Sequence, residues 1–466
     1  MNPSLHSTRR KWIGGSLAAG ASLLPMVRGL RGEESGGLRV ASFRYDVTPP
    51  EGHPLCGGWI TPAKTVDDPL EAIGFVVLGA GAPIVVCAVD WTGLLNRAHI
   101  EWRSALAEAA GTSPDRVAVQ CVHQHDAPFV CLESDRLVRE QDPDLEVVDM
   151  DFFHECLARG QAAVRESIAR AVPLTHVAAA EEKVDRIAGN RRVDIGPDGR
   201  VGRMRGSSCR VPELIALPEG LIDPQLKTVA LYSGDEKVVS CHYYACHPMS
   251  HYGRGAVSSD FAGLARKRLQ AEEPGCAHIY FNGCGGNIGA GKYNDGSPEA
   301  RVELTERLHA AMAGASAKLA PAPLQSLSWE TRELLPKINP AFTEEGELAH
   351  VRDPKNTAAN RIRPAMRVSW MRRVREGVPV VLSALHLDGV SMLQLPAESF
   401  VEYQLRAQAL APDRFVATAA YGDGGTWYLP TKEAFPLGGY EVSVANSAPE
   451  TDDELTQGMR ELLASA

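Results

Sequence analysis

The chain has 466 residues, of which 44% are hydrophobic and 23% charged, and its formal net charge is −10 at pH 7. This length exceeds what one hydrophobic core usually serves, so the sequence predicts one large mixed domain or two fused lobes. The composition is that of a globular chain and excludes an intrinsically disordered protein. Basic residues are scattered rather than gathered in a stripe, which excludes nucleic acid as a partner.

The N-terminal residues have the features of an export signal. The pair Arg9-Arg10 precedes an apolar run that reaches Val27, which is typical of the twin-arginine pathway. A membrane anchor is the alternative, but the run contains glycines and a proline and is shorter than the ~20 residues that a spanning helix needs. The sequence therefore predicts a signal at 1–33, delivery to the periplasm or the extracellular space, and a mature domain at 38–466 without a transmembrane span.

Along the mature chain, segments in which apolar and polar residues alternate as in a strand are followed by segments in which apolar residues recur at helical spacing. The pattern indicates an α/β fold of mixed sheets flanked by helices, with no visible internal repeat. The polar, proline-bearing segment 336–364 interrupts the pattern and is interpreted as an excursion over a site or as a lobe boundary. Strands are predicted at 38–43, 73–78, 83–89, 117–122, 178–183, 228–232, 238–245, 277–281, 380–387 and 415–420, and helices at 96–110, 149–169, 261–271, 300–319, 399–410 and 452–463.

The cysteines favour buried thiols over disulfides. All ten lie between Cys56 and Cys284, without the closely spaced pairs of a structural zinc ribbon. Several, among them Cys87 and Cys121, stand inside apolar strand patterns, as buried free thiols do. Export permits disulfides, but twin-arginine substrates fold first in a reducing compartment, which disfavours them.

Two histidines follow the predicted strand 117–122. Because His123 and His125 are two positions apart, the strand end presents both imidazoles on one face, as convergence on a metal ion requires. The alternative is a pair of solvated histidines at an exposed strand end. The pair alone does not separate these interpretations.

A second candidate ligand follows the strand 238–245. His242 and His247 differ by five positions, so strand parity places them on opposite faces and at most one can join the first pair. His247 lies where the strand gives way to a proline turn and is the candidate ligand, whereas His242 is predicted to be a packed or surface residue. The glycine-rich segment 283–289 lacks the Lys-Ser/Thr ending of a phosphate loop, so we interpret it as a tight turn beside a pocket.

Taken in order, these motifs resemble the N-terminal catalytic domain of the neutral, non-lysosomal ceramidases, from about Arg39 to about Tyr440. Each motif is short, and their order carries the resemblance. The matching segments are Asp-Val-Thr-Pro-Pro at 46–50, His-Gln-His at 123–125, Asn-Arg at 190–191, His-Pro at 247–248 with Ser-Asp-Phe at 259–261, Pro-Ala-Glu at 396–398, and Trp-Tyr-Leu-Pro-Thr-Lys-Glu at 427–433 with Tyr-Glu at 440–441.

The resemblance implies the ceramidase fold and an exported zinc amidohydrolase that acts on a small N-acyl or lipid-like substrate. A zinc-activated water would attack the amide carbonyl, two donors would stabilise the oxyanion, and an imidazole would protonate the leaving amine. By that resemblance the zinc ligands are His123, His247, Glu398 and Tyr428, and the residues of the reaction centre are Arg191 and Tyr440 for the oxyanion and His125 for the amine.

Two departures from the family argue against membrane-bound ceramide as the substrate. Gly289 stands where the family has a serine, leaving a position expected to admit a bulkier or more polar group, and the chain ends soon after Tyr440 without the family's immunoglobulin-like domain. The sequence therefore also allows an esterase, a peptidase, a carbohydrate-processing hydrolase or a non-catalytic metal-bearing binding protein. Three local alternatives stay open: Glu398 as a first-turn helix acid, the two tyrosines as packing residues, and Arg191 as one of a solvated pair.

Overall fold

A computed structural model describes residues 37–465, so the predicted export signal at 1–33 lies outside the described residues. From Gly37 onward the chain forms one compact unit, and the interpretation of 336–364 as a lobe boundary is therefore wrong. Within the described range, no helix is both long and apolar enough to cross a membrane.

The three larger sheets are built on the same unit: a strand, an antiparallel hairpin, a helix, and a last strand parallel to the second hairpin strand. The helix is needed because a parallel neighbour cannot be reached through a tight turn. The units are Arg39–Asp46, Glu71–Leu78, Ile84–Val89, helix Arg97–Ala110 and Val117–Cys121; His176–Lys183, Gln225–Ser233, Glu236–Tyr244, helix Asp260–Glu272 and Ala277–Asn282; and Leu327–Leu334, Val380–Leu387, Val390–Gln394, helix Val401–Leu410 and Phe415–Ala419.

The inner faces of the three sheets share one apolar core. Phe75 and Val86 from the first sheet, Val239 and Phe281 from the second, and Met392 from the third are all buried in it. Because successive strand residues point to opposite faces, the outer faces are also apolar and are covered by helices. These layers are the predicted mixed α/β fold.

The remaining elements complete the helical cover and the short pairings around the sheets. Val172–Pro173 and Ala322–Pro323 extend the first and second sheets at one edge. The other helices are Leu132–Arg139, Met150–Ile168, Pro212–Ala216, Pro298–Ala317, Glu344–Arg352, Ala358–Arg375, Ala434–Leu437, Tyr440–Val444 and Thr451–Ala464, and the two-residue strand pairs are Thr65–Val66 with Ala256–Val257, Gly93–Leu94 with Phe129–Val130, Gly189–Asn190 with Ile288–Gly289, and Glu398–Ser399 with Tyr428–Leu429.

All the predicted helices and strands are present, and the main omission lies in the segment 336–364. This segment contains the helix Glu344–Arg352 and the start of the helix Ala358–Arg375, which holds Pro364 in its interior. Proline costs such a helix one backbone hydrogen bond, but most of this helix is buried, and tertiary packing overrides the local preference. The predicted free thiols are confirmed, since all ten cysteines are buried and unbridged.

Candidate metal centre

The three units meet where the last strand of each one ends. Cys121 N donates to Tyr421 O (2.8 Å), Ala420 N donates to Asn282 O (2.9 Å), and Asn282 Nδ2 donates to Val122 O (3.2 Å). These bonds run from the first unit to the third, from the third to the second, and from the second back to the first. The strand ends are therefore tied into a closed ring, and the loops that leave them project to one side.

His123, His247 and Glu398 come together beside this ring, one from each unit. Each follows a strand: His123 follows Val117–Cys121, and the other two follow the second hairpin strands of their units. Glu398 Oε2 lies 3.2 Å from His123 Nε2 and 3.0 Å from His247 Nε2, and all three side chains are buried. They form a group of possible metal ligands.

The hydrogen bonds of the two imidazoles fix which nitrogen faces the group. His123 Nδ1 lies 2.6 Å from Thr92 O and His247 Nδ1 lies 2.7 Å from Gly285 O. A carbonyl oxygen only accepts, so both Nδ1 atoms carry the proton, and in the neutral rings both Nε2 atoms present lone pairs. Burial and the nearby Arg191 lower the pKa of His247 to about 4, which keeps that ring neutral at pH 7.

In these tautomers three electron-pair donors face one another, and His247 Nε2 and Glu398 Oε2 are 3.0 Å apart, within hydrogen-bonding distance. His123 Nε2 is buried and makes no hydrogen bond within the described part of the chain. A cation at the centre would convert this repulsion into attraction. Tetrahedral ligands ~2.0–2.1 Å from a zinc ion lie about 3.3 Å from one another, close to the 3.0 Å and 3.2 Å found here. The donor set and its spacing therefore fit zinc.

Tyr428 lies at the edge of this group. Its short strand pairs with that of Glu398, and its hydroxyl is 3.4 Å from His247 Nε2. Burial raises the pKa of the phenol well above its ordinary value, and Arg191 opposes this shift. Arg191 Nη2 donates to the Tyr428 hydroxyl (3.1 Å) and its Nε donates to Glu441 (3.1 Å). The structure therefore places the predicted fourth ligand within reach of the candidate ion position.

His125 and Tyr440 stand outside the ligand group, on the wall of a cavity of about 280 Å³ that opens onto it. The ring of His125 is centred 4.9 Å from that of His123, and its Nδ1 lies 3.1 Å from His123 O. Burial and the neighbouring histidines hold the pKa of His125 well below its ordinary value. Tyr440 is 39% exposed and packs edge-on against Tyr428 (5.8 Å between ring centroids).

The structure decides between several of the sequence alternatives. Arg191 is buried rather than solvated, and it shares the fully buried carboxylate of Glu441 with Arg192. Glu398 precedes the helix Val401–Leu410, but its carboxylate meets the histidines. The prediction for His242 is confirmed: it is buried away from the group, 3.0 Å from His278 Nδ1.

The glycine-rich segment 283–289 packs against two of the candidate ligands, His247 and Glu398. Gly285 O holds His247, and a Cβ at Gly286 would lie 2.3 Å from Glu398 O. A Cβ at Gly289 would meet Arg191 Cδ at 3.4 Å and the backbone of Ser207 at 3.5 Å, which is ordinary van der Waals contact. A Cβ therefore fits at this position, and the expectation that it admits a bulkier or more polar group stays a prediction.

Backbone strain is concentrated at the same place. His123 (φ 75°), Ala397 (φ 50°), Tyr421 (φ 61°) and Trp427 (φ 60°) are all non-glycine residues in the left-handed region. Each such residue costs about 1–3 kcal/mol and persists only where its surroundings impose the conformation, and such residues cluster at functional sites. The strained residues are a candidate ligand or flank one, apart from Tyr421, whose ring stacks on His123 (4.3 Å between centroids).

Sequence reasoning missed Tyr421, Glu441 and the backbone carbonyls that orient the imidazoles. Tyr421 follows the predicted strand 415–420, as His123 follows its own strand, so its place at a strand end was the available signal. Glu441 adjoins Tyr440 in a motif that was already identified, but a buried partner for Arg191 could not be chosen among many acidic residues. No sequence pattern marks the two carbonyls.

A second group of possible ligands, Glu273, Cys276 and His278, lies elsewhere in the second unit. Lys237 Nζ is 2.5 Å from Glu273 Oε2 and already neutralises that carboxylate. The His123 group has no such ammonium and remains the better candidate for a cation.

No family model and no curated protein matches the sequence. Solved structures do match it. A ceramidase complexed with C2 superposes with a TM-score of 0.69 at 15% identity, over 92% of this chain and 75% of that chain. The neutral ceramidase from Pseudomonas aeruginosa superposes with a TM-score of 0.67 at 17% identity, over 92% of this chain and 74% of that chain. The chain therefore has the neutral ceramidase fold, as its ordered motifs predicted.

The close approach of Gly286 to Glu398 yields a test of the centre. Gly286→Ala must displace the Glu398 backbone, and we expect the zinc dissociation constant, measured by chelator competition, to rise about tenfold or more. Gly275→Ala is the matched control, because its Cβ would meet no atom within 4 Å. Equal zinc affinity in the two variants would show that Glu398 does not bind the ion.

Proposed function

We propose that this protein is a zinc-dependent hydrolase that cleaves the amide bond of a small N-acyl substrate. The observation that carries the proposal is the convergence of His123 Nε2, His247 Nε2 and Glu398 Oε2 in a buried group, with both Nδ1 atoms held by backbone carbonyls. Two imidazoles and a carboxylate are a usual ligand set for catalytic zinc. The ceramidase fold supports the amide as the bond that is cleaved.

Each remaining site residue has a role that its contacts support. His123, His247, Glu398 and Tyr428 would hold the zinc ion, which would supply Lewis-acid activation of water at neutral pH. Glu441 fixes the guanidinium of Arg191, whose Nη2 donates to the Tyr428 hydroxyl. From this position Arg191 can stabilise negative charge on the carbonyl oxygen of the substrate amide. Tyr440, on the cavity wall, is the proposed second donor to that oxygen.

His125 is the proposed proton donor to the leaving amine. Its Nδ1 faces a backbone carbonyl and keeps its proton, which leaves Nε2 to gain and lose one. We also propose that residues 1–33 direct the chain through the twin-arginine pathway, so that hydrolysis takes place in the periplasm or outside the cell.

Metal analysis of purified protein tests the ligand set. We expect about one zinc per chain, and His123→Ala should lose most of it together with at least ~10³-fold in kcat/KM, because the ion both binds and activates water. His154→Ala removes an exposed histidine and should change neither quantity. Stoichiometric zinc with full activity in His123→Ala would refute the proposal.

The bond class is tested with the same protein. Acyl amides, matched esters, peptides and glycosides of similar size should be compared by initial rate, with zinc removed by chelator and then restored. We expect zinc-dependent hydrolysis of the amides. Zinc-dependent cleavage confined to another class would retain the centre and overturn the amide assignment.

Arg191→Gln tests oxyanion stabilisation. We expect kcat to fall by about 10²–10³ while zinc is retained, because a donor to the developing negative charge is lost. Arg192→Gln is matched to it, since Arg192 pairs with the same Glu441 but makes no hydrogen bond to Tyr428. A similar fall in kcat for both variants would assign Arg191 a purely structural role.

A further inference from the structure

The helix Ala358–Arg375 carries six arginines, and one of them differs from the rest. Arg363 makes no hydrogen bond or ion pair with any residue from 37 to 465, and its Nε is buried without a partner. The other five arginines of this helix each pair with a carboxylate: Arg361 with Asp142, Arg367 with Glu347, Arg372 and Arg375 with Glu344, and Arg373 with Asp423.

Aromatic rings surround the Arg363 guanidinium instead. Its Cζ lies 5.2 Å from the ring centroid of Trp59, 5.5 Å from that of Trp427 and 6.0 Å from that of Tyr440. The two tryptophans are stacked (5.2 Å between centroids, 8° between planes). All three rings line the cavity that opens onto the candidate metal centre. The unpaired cation therefore lies against three of the rings that form the cavity wall.

Aromatic contact does not satisfy this guanidinium. Cation–π attraction contributes about 0.5–2 kcal/mol, but it uses none of the five N–H donors. One of them, the Nε–H, is buried without an acceptor among the described residues, which costs free energy. The planar fork of an arginine matches a carboxylate, sulfonate or phosphate through two parallel hydrogen bonds. Glu398 is the one acid among the described residues that line the cavity, and its carboxylate faces the two histidines of the candidate metal centre.

We propose that Arg363 binds a negatively charged group of the substrate, while the stacked Trp59 and Trp427 and the nearby Phe129 contact its apolar part. The substrate class is then an anionic N-acyl amphiphile, such as an acylated amino acid, rather than a neutral acyl amide. A neutral headgroup would leave the charge of Arg363 without a charged partner in the bound state. The chemistry of the cleaved bond rests on the proposed function, but the anion subsite does not.

Binding of amphiphiles that cannot be hydrolysed tests the subsite without turnover. Decane-1-sulfonate and decan-1-ol share a chain and differ in charge, and sulfonate is a poor zinc ligand. We expect the purified protein to bind the sulfonate at least about tenfold more tightly, by ~1.4 kcal/mol, as measured by quenching of tryptophan fluorescence and by calorimetry. Arg363→Gln should remove this preference and leave decanol binding within about twofold.

Arg375→Gln is the matched control, because it removes the same charge from the same helix at a site paired with Glu344. It should retain the preference for sulfonate. Zinc content and the unfolding midpoint of each variant establish that the fold is intact. Equal binding of the two amphiphiles by the unaltered protein, or sulfonate binding unaffected by Arg363→Gln, would overturn the proposal.

Hydrolysis separates this proposal from the proposed function. We expect N-decanoylglycine to be cleaved with a lower KM than N-decanoylethanolamine, and Arg363→Gln should raise only the first KM, by about tenfold, with little change in kcat. If the protein cleaves neither amide but Arg363→Gln still abolishes the sulfonate preference, the amide assignment fails and the anion subsite stands.

Discussion

Two imidazole lone pairs and a carboxylate oxygen face one another in a buried pocket, and the rest of the site is arranged around that contact. Both imidazoles are held by backbone carbonyls at Nδ1, so neither can turn away, and Glu398 cannot retreat because Gly286 lies against its backbone. Buried groups of this kind destabilise a fold unless a cation joins them. The arrangement fits the proposed metal centre, whose ligands would be oriented by their surroundings.

The fold supplies this geometry by placing one ligand on each of three similar sheet units. The hydrogen-bonded ring fixes the last strands of the units, and the second hairpin strands pair with these strands. His123 follows a last strand, whereas His247 and Glu398 follow second hairpin strands, so all three start from fixed positions and reach a common point. The shared core between the sheets makes the ring rigid. A ligand set that is widely spaced along the chain is in this way brought within hydrogen-bonding distance.

Much of the fold was predictable from the sequence, because the strands are strongly apolar and the apolar residues of the helices recur at helical spacing. The strands before His123 and His247 ended where predicted, to within one residue. The threefold repetition of the sheet unit was not predictable from the sequence. It is a repetition of strand order and strand pairing, while the sequences of the units and the lengths of their connections differ. The helix Ala358–Arg375 was missed because Pro364 and several charged residues hide a buried element.

The residues of the site also divide into those that the sequence predicted and those that it did not. His123, His247 and Glu398 carried motif and strand-end signals, whereas Glu441 and the unpaired state of Arg363 depend on which distant side chains meet. No spacing rule records that Arg363, alone among the arginines of its helix, has no acidic partner among the described residues and contacts aromatic rings instead. Long-range packing decides such partners, and the most specific inference about the substrate depends on it.

The most direct measurement is anomalous X-ray diffraction at the zinc absorption edge from crystals of the purified protein. The account predicts a single strong peak about 2.0–2.1 Å from the Nε2 atoms of His123 and His247, with Glu398 as a further ligand. No peak at that position, or a peak only at the group of Glu273, Cys276 and His278, would contradict it.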